Sequence, residues 1–271
     1  MSWESELASA LRAAARARTV ILSHYAAWEP VTDAPASITT EADRAAQDAI
    51  IESLQVDWPD DAVRAEESTP ALTRRRREGP RMWIIDPIDG TRGFAQKNGE
   101  FSVMIALAVD GDAVLGVVDE PALQRTTYAC RGGGCWARDA AAEPRRVSVS
   151  STDSLANLTL IQSHSKPGRG PTPAVQRLTP RRVVETYSAG VKLARVARGE
   201  ADVYVCDYSV MNDWDIAAGH ALVVEAGGRV TTAEGQALRF GRDDPRQFGG
   251  MIASNGRIHD AVVARIAMKS Q

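Results

Sequence analysis

Two hydrophobic periods share this chain, and the places where one gives way to the other predict its layout. Residues 3–26 carry Leu7, Leu11, Ala14, Ala15, Ile21 and Leu22 near helical spacing, with Glu6, Arg12 and Arg16 between them. That period predicts an amphipathic helix. Arg18 falls on the apolar stripe, where its long stem can still carry the charge to water. Pro30, Asp33 and Pro35 mark residues 29–38 as a loop. A second helix is expected to open at Thr39-Thr40-Glu41-Ala42-Asp43, with Thr39 or Thr40 as its N-cap and Ile50, Ile51 and Leu54 on its apolar face. Residues 57–61 read as a turn and 62–65 as a short strand, followed by Glu66-Glu67. Four consecutive arginines at 74–77 sit between Pro70 and Gly79-Pro80 and read as a solvated loop.

Strands dominate from 82 to 137. The run 101–109 is long and apolar, Asp110-Gly111-Asp112 is a hairpin turn, and 113–118 returns. A further pair, 126–130 and 135–137, flanks Gly132-Gly133-Gly134, which lacks the Gly-Lys-Ser/Thr of a phosphate-binding loop. The charged, Pro-bearing stretch 138–147 is a plausible boundary. Beyond it strands are expected at 158–163, 182–186, 202–206 and 228–232, with helices at 171–179, 189–199 and 215–226. This alternation predicts an α/β unit.

The 271 residues are 44% hydrophobic and 25% charged, enough for one large or two medium domains. A net charge of −3 excludes a global positive field for nucleic acid. No run approaches a membrane span, and the acidic first residues lack the apolar core of a secretory leader. Cys130, Cys135 and Cys206 are too few for a disulfide framework and read as reduced packing thiols. His24, His220 and His259 have no partner pattern, and zinc is not indicated.

The chemistry concentrates in Asp86-Pro87-Ile88-Asp89-Gly90-Thr91, delivered by the apolar run Met82-Trp83-Ile84-Ile85. A strand ending this way puts two carboxylates on one tight turn, where both can face a hard cation. Gly90 permits the sharp turn, and a helix starting at Thr91 would aim free N–H groups at the same spot. Carboxylates for Mg2+ beside amides for an anion are the parts of a phosphate-ester site. Asp43, Glu66 and Asp215 also fall at strand ends or loop–helix junctions. Positions spread so widely meet in a cleft between domains.

Thr40-Glu41-Ala42-Asp43, Glu66-Glu67-Ser68, Trp83-Ile84-Ile85-Asp86-Pro87-Ile88-Asp89-Gly90-Thr91 and Trp214-Asp215-Ile216-Ala217-Ala218-Gly219 together resemble the inositol monophosphatase superfamily of metal-dependent, lithium-sensitive phosphatases. The resemblance runs in family order from about residue 40 to 230. It implies a layered αβαβα fold, with an α+β domain over 1–145, an α/β domain over 146–271 and the site between them. It implies two Mg2+ ions with a weak third, Mn2+ being a possible substitute. Glu66, Asp86 and the Ile88 carbonyl would hold one ion, and Asp86, Asp89 and Asp215 the other. Thr91 and Asp43 would activate the attacking water, and the Gly90 and Thr91 N–H groups would bind the phosphate.

Thr91-Arg92-Gly93-Phe94 with Asn98-Gly99-Glu100-Phe101-Ser102-Val103 is similar to the 3′(2′),5′-bisphosphate nucleotidases, as are Ser163-His164-Ser165 and Ala189-Gly190-Val191-Lys192. That branch implies Ser163, His164, Gly190 and Lys192 as nucleotide contacts, Lys192 meeting a 5′-phosphate. It implies 3′-phosphoadenosine 5′-phosphate (PAP), a by-product of sulfate assimilation, as substrate. The setting would be cytoplasmic, for a monomer or homodimer. Val117-Val118-Asp119-Glu120-Pro121 is closer to the histidinol-phosphatase branch. Inositol 1-phosphate and histidinol phosphate stand as alternative substrates, and a non-catalytic metal- or nucleotide-binding protein as a third possibility.

Overall fold

The computed structural model describes residues 2–35, 38–165, 168 and 170–267; part of the expected loop 29–38 lies outside them. The first half runs α1 (Glu4–Ala27), α2 (Glu41–Asp57), β1 (Ala62–Ala65), α3 (Pro70–Thr73), β2 (Arg81–Asp89), α4 (Thr91–Ala95), β3 (Ser102–Val109), β4 (Asp112–Glu120), β5 (Arg125–Cys130), β6 (Gly134–Asp139) and β7 (Arg145–Val147). The second runs β8 (Thr159–Gln162), α5 (Pro173–Leu178), β9 (Arg182–Glu185), α6 (Ala189–Ala197), β10 (Val203–Cys206), β11 (Val210–Asn212), α7 (Asp213–Glu225), β12 (Arg229–Thr231), β13 (Arg246–Phe248), β14 (Met251–Ser254) and α8 (His259–Ala267).

These elements stack in five layers. Helices α1 and α2 cover the outer face of a seven-stranded sheet ordered β1-β2-β3-β4-β5-β6-β7. Helices α6 and α7 fill the layer between that sheet and a five-stranded one ordered β12-β14-β10-β8-β9, whose far face carries α5 and α8. The layering explains the unbroken apolar run of β2, since a strand covered on both faces needs no polar alternation. Trp83 and Ile85 pack toward α1 and α2, and Met82 and Ile84 toward α6 and α7. The same alternation parts two thiols across the β5–β6 hairpin. Cys130 belongs to the outer core and Cys135 to the inner one, and both are free.

Four local readings change. Arg18 keeps only part of its side chain in water, because its Nε donates to Asp119 Oδ2 at 2.9 Å and ties α1 to the sheet. Arg75 donates to the carbonyls of Trp58, Pro59 and Asp61, so part of the arginine run clamps the 57–61 turn rather than being wholly solvated. The stretch 138–147 is not a linker; it ends β6 and supplies β7, carrying the first sheet across the expected boundary at 145. His259 is buried and partnered by Thr231 and Ser254. Among the described residues, no helix is long and apolar enough to cross a membrane.

Candidate active site

Asp86 and Asp89 end β2, and the β2–β3 ladder shifts register between them. In an unbroken strand, residues three apart face opposite sides; the irregularity lets both reach one cavity of about 680 Å3. Gly90 follows at φ 85°, and a Cβ there would approach the Glu100 carbonyl oxygen to 2.8 Å. Only glycine fits this conformation and this gap. Helix α4 begins at Thr91; Gly93 and Phe94 N–H donate to the Gly90 carbonyl at 2.7 and 3.2 Å, which leaves the N–H groups of Thr91 and Arg92 without an intrahelical partner.

The other expected residues arrive from separate elements. Glu66 follows β1, which pairs with β2 in parallel. Asp215 sits in the first turn of α7, where its Oδ2 accepts from Asn212 N at 2.6 Å, so it caps the helix while lining the cavity. Ile88, Ser163 and His164 line the same space. Asp43 stands behind Thr91. Its Oδ2 accepts from Thr40 N at 2.8 Å and Thr40 Oγ1 at 2.6 Å in a capping box. The opposite oxygen, Oδ1, faces Thr91 Oγ1 at 3.1 Å.

Two expected nucleotide contacts are not made available. Gly190 N–H donates to Asp89 Oδ2 at 2.7 Å, and a Cβ at this position would stand 2.5 Å from Ser102 Oγ. Its role is to let α6 approach β3 and orient Asp89, assisted by the Ser188 hydroxyl. Lys192 is fully buried, and its three ammonium hydrogens go to Ser163 Oγ at 3.2 Å and the carbonyls of Thr186 and Tyr187 at 3.0 and 2.8 Å. Burial lowers its pKa to about 8 against the pull of Asp89, Cys206 and Glu100. It borders an adjoining cavity of about 170 Å3 that shares Asp89, Ser163, Tyr187, Tyr208 and Asp215 with the main one. His164 keeps its place, but Nε2 is 2.6 Å from Glu100 Oε2, leaving its ring face rather than that nitrogen for a ligand.

Arg92, Tyr187 and Tyr208 also line the main cavity, and none of the three carried a role in the sequence reading. Arg92 was visible beside Thr91. Tyr187 carried a weaker signal, its place just before the Ser188 cap of α6.

The site is crowded with negative charge. Burial, then repulsion from Glu66, Asp89 and Asp215, holds Asp86 well above the usual carboxylate range. Glu66 is raised by surrounding protein and by repulsion from Asp215, Glu67 and Asp43, while hydrogen bonding with Asp86 opposes the rise; one face stays open to the cavity. Burial raises Asp215 to about 6, with repulsion from Asp89 adding to it and the Asn212 amide opposing it. Burial raises Asp43 too, against hydrogen bonds from Thr40 and Thr91. Asp86 Oδ1 is buried without a partner. Among the described residues, no three acidic, His or Cys side chains already converge as a metal cage. The donor set is nonetheless all oxygen, mutually repelling and partly unsatisfied, which fits a hard divalent cation rather than zinc or copper.

A five-layered fold with a carboxylate-lined cavity at strand ends defines a metal-dependent phosphatase of small esters. A sequence profile described as the inositol monophosphatase family matches residues 3–271, and the chain belongs to that family. Histidinol-phosphatase of Mycobacterium tuberculosis is 34% identical over 272 residues, covering 96% of this chain and 97% of that protein. The 3′(2′),5′-bisphosphate nucleotidase CysQ of Salmonella typhimurium is 36% identical over 204 residues, covering 75% of this chain and 80% of that protein. Among solved structures, Thermotoga maritima IMPase superposes with a TM-score of 0.78 at 30% identity, over 97% of this chain and 96% of that one. CysQ from Bacteroides thetaiotaomicron gives 0.73 at 27%, over 93% and 97%.

Proposed function

We propose that this chain is a Mg2+-dependent phosphomonoesterase that hydrolyses PAP to AMP and phosphate by attack of water. The observation that carries the phosphatase reading is the Thr91–Asp43 pair, set beside four carboxylates on one cavity. In this reading Glu66, Asp86 and the Ile88 carbonyl would hold one cation, and Asp86, Asp89 and Asp215 a second; Mn2+ would substitute, and Glu66 would serve a weak third. When bound, the cations offset the carboxylate charge, polarise the ester and acidify a water.

The protein's own groups do the rest. Thr91 Oγ1 takes a proton from the water as its own hydrogen passes to Asp43 Oδ1, 3.1 Å away. The Ile88 carbonyl, 2.9 Å from the same hydroxyl, can accept a hydrogen bond but cannot keep a proton. Asp43 can, and its burial already favours the protonated form. Gly90 and Thr91 N–H groups face the phosphate oxygens. Ser163 and His164, which also line the cavity, would meet the alcohol of the ester. The CysQ relatives and the Thr91–Phe94 segment support PAP, and with that substrate the enzyme would serve cytoplasmic sulfur metabolism.

One observation favours a second reading. Glu100 and Glu185 flank His164 at 2.6 and 3.7 Å, an acidic rim suited to the cationic alcohol of histidinol phosphate. Phosphate release from PAP, inositol 1-phosphate and histidinol phosphate, measured side by side with Mg2+, ranks the readings. PAP is expected to have the highest kcat/KM. A lead for histidinol phosphate supports the acidic-rim reading, and release from none of the three overturns the phosphatase assignment.

A further inference from the structure

Buried or half-buried cations in this protein are paired almost throughout. Arg64 meets Asp213 at 2.9 Å, Arg198 meets Glu120 at 2.7 Å, and Lys192 spends its hydrogens on three oxygens. Arg92 departs from this pattern. It follows Thr91 directly and is the one lysine or arginine, among the described residues, that lines the main cavity. Its Nε is buried without a hydrogen-bond partner, and no carboxylate of the described residues pairs with its guanidinium. The group instead lies over the Tyr187 ring, with Cζ 5.3 Å from the centroid. Tyr187 packs in turn on His164, with ring centroids 4.4 Å apart.

An unpaired guanidinium is costly where water is restricted, since desolvation is recovered only through an anion. A guanidinium placed over an aromatic ring keeps its N–H groups for an anion, and a phosphate can accept from two of them at once. The platform is braced from behind. Glu100 Oε2 accepts from Tyr187 N at 3.2 Å, and Lys192 Nζ donates to the Tyr187 carbonyl at 2.8 Å. The buried lysine thus holds the tyrosine on which the arginine rests.

We propose that Arg92 binds the second, non-reacting phosphate of a bisphosphorylated substrate and so determines specificity, a role that rests on the phosphatase reading of the same cavity. Contact with the reacting phosphate would serve monoesters and bisphosphates alike. Contact with a second phosphate serves only the latter, and the two cases separate cleanly.

The test compares wild type, Arg92→Gln and Arg92→Lys with Mg2+. The substrate pairs are PAP against adenosine 3′-monophosphate, and fructose 1,6-bisphosphate against fructose 1-phosphate. Calorimetric binding of AMP and of adenosine to the Mg2+-loaded protein gives a readout independent of turnover. The preferred bisphosphate should lose about ten- to a hundredfold in Arg92→Gln, mainly through KM, with its monophosphate partner changed less than about threefold. AMP affinity should fall by a similar factor and adenosine affinity should not; Arg92→Lys should recover part of both. Equal losses within a pair, or unchanged bisphosphate KM and AMP affinity, overturn the proposal. If no ester is hydrolysed, the phosphatase reading fails, while loss or retention of AMP affinity in Arg92→Gln still decides the role of Arg92.

Discussion

Thr91 Oγ1 lies 3.1 Å from Asp43 Oδ1, although the two residues come from different helices and are 48 positions apart. Asp43 is fixed by its own capping box, and Thr91 by the turn that ends β2. Neither side chain needs to move for a proton to pass between them.

Removing the hydroxyl while keeping the shape therefore isolates this contact. Thr91→Val should lower kcat by about 10^2 to 10^4, the usual range for proton transfer by a positioned group. Asp43→Asn should do the same, and the double variant should be little worse than either single one, because the pair acts as a unit. Steady-state kinetics at saturating Mg2+ checks this; Thr91→Val within threefold of wild type contradicts it.

Asp86 should be a liability without metal. Its carboxyl is buried, has an unpartnered oxygen and faces three like charges. In the presence of chelator, Asp86→Asn should melt about 2–4 °C higher than wild type, for about 1 kcal/mol of relieved repulsion in a chain of this size. Added Mg2+ should raise the wild-type Tm strongly and the variant's little. A variant that melts lower than wild type in chelator, and gains as much from Mg2+, contradicts this reading.

Lys192→Met keeps the stem and deletes the ammonium. Three oxygens then lose a buried donor, at a cost of about 2–4 kcal/mol. Because the lysine braces Tyr187, over which Arg92 lies, PAP should suffer more than adenosine 3′-monophosphate, and that difference should disappear when Lys192→Met is made in an Arg92→Gln background. A loss specific to PAP that persists in the Arg92→Gln background would return Lys192 to the 5′-phosphate.

His220 supplies a pH test outside the site. Burial lowers its imidazole to about 4, with Asp112 opposing, and its Nδ1 has no partner beside the Phe240 ring. The unfolded chain takes up a proton near the usual 6.5 that the folded ring refuses. Stability linked to His220 is thus fully present above about 6.5 and declines as pH falls toward about 4. The ring is only half-buried by accessible surface, so the loss should be about 1–2 kcal/mol. Denaturant unfolding at pH 7, 6 and 5 should show a flatter acid limb for His220→Leu than for wild type; equal pH slopes contradict this.

What the sequence made legible was local. Asp86, Asp89, Gly90 and Thr91 share one turn, and Asp43 and Asp215 each cap the helix they begin, so neighbours in the chain already state their geometry. The strands β11, β13 and β14 have three or four residues each and exist through pairing with distant partners, a signal too short for periodicity to reveal. Lys192 misled because a lysine on a helix ordinarily marks its wet face. Helix α6 lies in the middle layer, walled by both sheets, and the charge is carried inward to carbonyls that no pattern discloses. Gly190 looked like a ligand contact, but the space it leaves is filled by Ser102 and Met104.

The central claim is that the carboxylates of this cavity work through bound Mg2+. Its most direct test is phosphate release from PAP, inositol 1-phosphate and histidinol phosphate across a Mg2+ titration, with a chelator control, for wild type and Asp89→Asn. Asp89 is held by Ser188 and Gly190, so the substitution removes a charge without removing buried apolar area. The expected result is saturable dependence on Mg2+ in the wild type, no release in chelator, and no turnover by Asp89→Asn at any Mg2+ concentration. Release that is indifferent to Mg2+, or near-wild-type turnover by Asp89→Asn at saturating Mg2+, would contradict it.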